Sequence, residues 1–160
     1  MTEAYTLVPV GVVVGGRAAV RDDDWAAERA IVRIDPARFP TDAVAGLDAF
    51  SHLEVVYLFD RVDPATVETG ARHPRGNPDW PRVGIFAQRA KDRPNRLGVS
   101  RCALERVDGL DLHVAGLDAV DGTPVLDVKP YMSEFGPQGG PVHQPAWSRE
   151  LMAGYWRREG

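Results

Sequence analysis

The chain has 160 residues, 44% of them hydrophobic and 26% charged, with a formal net charge of −4 and one cysteine. This length fits one compact domain, and no apolar run reaches the ~20 residues that span a bilayer. The acidic balance argues against a protein that coats nucleic acid over a broad basic face, and a single cysteine excludes an intrachain disulfide or multi-cysteine metal cluster.

The N-terminal stretch MTEAYTLVPVGVVVGG carries Glu3 and no Lys or Arg before its apolar run. A secretory leader places positive charge there, so 5–14 reads as a β-branched strand ended by Gly15-Gly16, in a protein most simply cytoplasmic. Residues 29–34 (RAIVRI) read as a second strand. Residues 41–50 read as a helix, with Thr41 as N-cap after Pro40 and an apolar stripe of Val44, Leu47 and Phe50. The run from Val55 to Phe59 reads as a strand buried on both faces. Residues 62–82 are polar and proline-bearing and read as a long ordered loop, a kind more often functional than decorative.

Strand character returns at 83–88 and, after a polar loop at 89–96, at 97–107. Asp108-Gly109 and Asp121-Gly122 are hairpin signals flanking 110–117, and 123–129 is the last strand. The tail from 145 to 158 carries Trp and Arg and reads as helical or loosely packed. Many short strands, two DG turns and no βαβ rhythm give a mainly β protein. The expected architecture is a small closed or nearly closed β-barrel with a short helix and peripheral loops.

Arg89, Lys91, Arg93, Arg96 and Arg101 form a local basic stretch. Pro94 stiffens the loop and Asn95 tolerates left-handed backbone, so 89–96 either presents guanidinium groups to a carboxylate or phosphate or is a solvated basic hairpin. Asp118, Asp121 and Asp127 cluster around one turn. Asp121-Gly122 is turn chemistry, whereas Asp118 and Asp127 are candidates for an amino or hydroxyl group. The four histidines lack metal-ligand spacing, so no metal site is expected, and Cys102 reads as a buried, inert thiol.

The segments 46–61 (GLDAFSHLEVVYLFDR), 83–100 (VGIFAQRAKDRPNRLGVS) and 116–131 (GLDAVDGTPVLDVKPY) resemble the TsaA-like (TrmO) family of S-adenosylmethionine-dependent methyltransferases. The likeness runs over roughly 8–131. It implies a TsaA-like β-barrel methyltransferase domain at 1–135, with a tail at 136–160 packed on that domain or on a dimer partner. It further implies S-adenosylmethionine as cofactor, held near a homodimer interface. The acceptor it implies is the exocyclic nitrogen of threonylcarbamoyl-adenosine in transfer RNA.

Carried over by position, Asp60, Arg61, Arg89, Val99, Ala115, Gly116, Leu117 and Asp118 bind the cofactor, and Arg93, Asn95 and Arg96 are substrate-binding candidates. Asp127, Lys129 and Tyr131 are the candidates for a general base. The SPY-type and P-R-Q segments of better-known bacterial members are missing here, and Asp60-Arg61 stands where those members tend to have His-Gln. These departures keep two alternatives open: methylation of a small molecule or other acceptor, and a non-catalytic S-adenosylmethionine- or nucleoside-binding module.

Overall fold

The computed structural model describes residues 2–158. Six antiparallel strands close into a barrel: β1 (Gly11–Val14), β2 (Arg29–Ile34), β3 (His52–Leu58), β6 (Leu97–Asp108), β7 (Asp111–Ala115) and β8 (Pro124–Pro130), in the ring order β1-β2-β7-β6-β3-β8. Two two-residue strands, β4 (Ala71–Arg72) and β5 (Val83–Gly84), pair separately. The seams differ in length. β3 meets β6 over seven register pairs, from His52↔Ala103 to Leu58↔Leu97. β1 meets β8 over only two, Gly11↔Val125 and Val12↔Pro124.

Side-chain alternation fills the barrel. Leu53, Val55 and Tyr57 of β3 point inward and meet Val13, Val32, Leu112, Val114 and Val125 from the other strands. Each such aliphatic side chain, fully buried, is worth about 1.5–3 kcal/mol. The intervening Glu54 and Val56 are only half-buried. The strand is therefore packed on one face and partly covered on the other, not buried on both, because a barrel stave has an inside and an outside.

Several boundaries also differ from the sequence expectations. The first strand holds only Gly11–Val14, while Tyr5, Leu7 and Val8 lie exposed before Pro9, which has no N–H to give a ladder. The expected helix at 41–50 is two 3-10 turns, Thr41–Val44 and Leu47–Ala49. Pro40 rather than Thr41 holds the cap position, and Gly46 at φ 84° interrupts any longer run. Val44 and Leu47 still pack against the core, so the apolar stripe is used without an α-helix.

The strand expected at 83–88 stops at Gly84, and a 3-10 turn at Ile85–Ala87 drives Ile85 into the interior. The sole α-helix among the described residues is α1 (Ala146–Met152), in the tail. No helix among them is long and apolar enough to cross a membrane.

Candidate functional site

The site is assembled at one mouth of the barrel, where β3 ends, β6 begins and β7 hands over to the 116–123 loop. Gly116 takes a left-handed backbone (φ 76°) and donates its amide to the Glu28 carbonyl at 2.8 Å. That turn drives Leu117 into the core and brings Asp118, half-buried, to the rim. Asp121 is occupied by the second turn, where Oδ1 accepts the Gly15 amide at 2.8 Å.

Tyr57 reaches Asp118 from inside. Its hydroxyl donates to Asp118 Oδ1 at 3.0 Å and to the Asp118 carbonyl at 3.1 Å. The ring can lie there only because its register partner is Gly98, where a Cβ would collide with the ring. A second phenol arrives from the tail, with Tyr155 donating to Asp118 Oδ2. Burial pushes both tyrosine hydroxyls well above their ordinary pKa, the Asp118 charge adds to the rise, and the nearby Arg89 charge opposes it. Both therefore remain protonated donors. Cys102, facing the same interior, is pushed up to about 12, first by burial and then by Asp118.

Arg89 stands exposed beside this group, with one guanidinium N–H donated to the Val99 carbonyl at 2.9 Å. Its remaining N–H groups leave it able to take a carboxylate. Asp118 thus accepts from both hydroxyls, and the Arg89 charge acts on the same pair.

The other loop arginines are engaged within the chain. Arg93 donates to the Gln88 carbonyl at 2.6 Å and Arg96 to the Val62 carbonyl at 2.9 Å. Asn95 and Arg96 both adopt positive φ, so the tight turn fixes their direction. Arg72 pairs with Asp92, and Arg75 reaches Asp23 at 3.0 Å. Arg61 bridges the Ala18 carbonyl at 2.6 Å and the Asp121 carbonyl at 2.9 Å, next to the exposed Asp60. Ala115 is held between Arg29 and Ala103 in the sheet.

Asp127, Lys129 and Tyr131 lie elsewhere. Register places Asp127 beside Val56 and Lys129 beside Glu54, on the outward-facing side of β8. Asp127 and Lys129 pair with each other at 3.0 Å, and Arg101 stacks over Tyr131 at 4.7 Å. The Tyr131 amide bonds the His52 carbonyl, five residues along β3 from Tyr57, or about 17 Å. Among the described residues, no group of three or more His, Cys, Asp or Glu is placed to hold a metal ion.

Sequence reasoning missed Tyr57 and Tyr155. Tyr57 had a signal: a lone phenol in an apolar strand needs a buried partner. Tyr155 had none, because its partner lies 37 residues away.

At its mouth this small closed barrel gathers an exposed arginine, a half-buried aspartate, one buried phenol and one half-buried phenol. Residues 21–136 match the family model described as the tRNA-methyltransferase O N-terminal domain, and the chain belongs to that family. It is 35% identical over 105 residues to a tRNA (adenine(37)-N6)-methyltransferase of Mus musculus, covering 65% of this chain and 24% of that one. It is 43% identical over 93 residues to a putative S-adenosylmethionine-dependent methyltransferase RcsF of Pseudomonas aeruginosa, covering 57% and 38%. A crystal structure of TrmO from P. aeruginosa superposes with a TM-score of 0.72 at 25% identity, covering 91% of this chain and 63% of that one. The chain thus spans less than two thirds of each of these relatives.

Proposed function

We propose that the protein is an S-adenosylmethionine-dependent methyltransferase acting on the exocyclic nitrogen of threonylcarbamoyl-adenosine in transfer RNA. The observation that carries this reading is Asp118 held by the Tyr57 and Tyr155 hydroxyls, with the Arg89 charge acting on the same pair. This pairing suits a ligand bearing both a carboxylate and an ammonium, and the Pseudomonas aeruginosa relative is named for S-adenosylmethionine dependence.

Bound there, the sulfonium would supply an already activated methyl group. Arg89 holds the donor's carboxylate by charge-assisted hydrogen bonds, and Asp118 holds its ammonium. Ala115, Gly116 and Leu117 offer backbone along the adenosine side, Val99 forms a wall, and Asp60 and Arg61 border the same rim. Catalysis then rests mainly on alignment. Arg93, Asn95 and Arg96 shape the acceptor side of the loop. Asp127, Lys129 and Tyr131 serve the acceptor from the outer face, where a second copy in a cytoplasmic homodimer brings them to the partner's donor site.

Comparing transfer RNA nucleoside masses between a deletion strain and its parent tests the reading. A methylated threonylcarbamoyl-adenosine lost on deletion supports it, and an unchanged nucleoside profile removes the acceptor assignment.

One observation favours a smaller acceptor. Arg72, Arg75, Arg93 and Arg96, which would otherwise face phosphates, are all engaged with groups of this chain. Labelled methyl donor appearing in a small metabolite rather than in RNA would select that reading.

A further inference from the structure

Tyr155 lies outside the segment that defines the family, yet it supplies a group to the mouth of the barrel. The tail carrying it is anchored independently of that hydroxyl. The amides of Asp24 and Trp25 donate to the carbonyls of Gly154 and Tyr155 at 3.1 and 2.9 Å. Trp80 Nε1 donates to Glu150 at 2.7 Å, and Arg157 pairs with Asp24 at 2.8 Å. A phenylalanine would keep all of these contacts, so docking the tail does not require the phenol oxygen.

The oxygen instead acts on Asp118. An ionised carboxylate has about four acceptor sites on two oxygens. Tyr57 takes one on Oδ1 and Tyr155 takes one on Oδ2, which fixes the plane of the carboxylate and leaves a lone pair on each oxygen.

We propose that Tyr155 is a positioning residue of the donor site: with Tyr57, its hydroxyl locks Asp118 in the orientation that receives the ammonium of the methyl donor. The proposal rests on the reading of Arg89 and Asp118 given above. It makes the C-terminal segment part of the binding site rather than an appendage to the fold.

The test uses full-length wild type, Tyr155→Phe and Asp118→Asn with two probes. S-adenosylhomocysteine carries the ammonium and carboxylate, whereas 5′-methylthioadenosine keeps the adenosine and thioether without them. Expected for Tyr155→Phe is a dissociation constant for S-adenosylhomocysteine raised about tenfold, the range of one hydrogen bond to a charged group. Affinity for 5′-methylthioadenosine is expected to stay within twofold and the thermal midpoint within a few degrees.

A purely structural role would lower the midpoint and leave the ratio of the two affinities unchanged; that result overturns the proposal. If Asp118→Asn loses S-adenosylhomocysteine and Tyr155→Phe does not, the positioning role alone is wrong. If wild type binds neither probe, the donor reading itself is wrong and this proposal falls with it.

Discussion

The mouth of the barrel and the outer face of β8 hold similar residues to opposite effect. On β8, Asp127 and Lys129 stand two residues apart and satisfy each other. At the mouth, Asp118 is satisfied by Tyr57, 61 residues away, and Tyr155, 37 residues away, while Arg89 gives only one bond to a neighbouring carbonyl. A charge neutralised by its neighbour needs no fold to hold it. A charge whose partners come from three parts of the chain can be held in place for a ligand. Sequence proximity here marks a self-satisfied pair, and long-range assembly marks a carboxylate fixed by the fold.

The sharpest way to break this contrast is Arg89→Ala. Losing a charge-assisted contact to the donor's carboxylate should weaken S-adenosylhomocysteine binding by about 10- to 100-fold in calorimetry, with little change in unfolding midpoint. Affinity within threefold of wild type would reduce Arg89 to a staple for the Val99 carbonyl.

Gly98→Ala probes the same mouth from beneath. The added methyl strikes the Tyr57 ring, so urea unfolding should show a loss of about 1–3 kcal/mol, together with weakened ligand binding. Wild-type stability would mean that the ring has room to move aside.

Alkaline pH offers a third test, because Tyr57 and Tyr155 at the mouth and Cys102 further along the barrel interior are all raised. Cys102 has an ordinary value of 9.0 and is raised to about 12 in the fold. The unfolded chain releases this proton first, so stability should be full below pH 9 and fall as pH rises toward 12. The slope is about 1.4 kcal/mol per pH unit for one group, and Tyr57 and Tyr155, also raised, steepen it above pH 10. A flat profile from pH 9 to 11 would show these groups to be in contact with water.

The smallest effect is expected on β8. Asp127→Asn should change stability by less than about 0.5 kcal/mol, since the pair with Lys129 is exposed, and should leave donor affinity within twofold. A larger drop in S-adenosylhomocysteine affinity would join the two regions into one site.

Much of the fold was legible in the residues. The strand character of 29–34 and 97–107 and the Asp108-Gly109 hairpin between β6 and β7 were local signals of the barrel. Asp121-Gly122, expected as a hairpin, instead turns between β7 and β8, which do not pair because β8 crosses to β1 and β3. The segment 41–50 misled because its apolar spacing suits a helix while Gly46 and Pro40 limit it to 3-10 turns. At the site, family resemblance singled out Arg89 and Asp118, whereas the phenols that hold Asp118 were illegible as a set. No spacing rule links residues 57, 118 and 155; only the docked tail and the closed topology do.

That topology also has a weakest joint. A ring of staves opens first where two staves share the least contact, and here that is the two-pair seam between β1 and β8. Arg61 spans this side of the ring, gripping the Ala18 carbonyl beyond β1 with one nitrogen and the Asp121 carbonyl ahead of β8 with another. It works as a rivet across the joint. Arg61 thus fastens the hoop where it is thinnest, and it ties the strength of the barrel to the loop that carries Asp118.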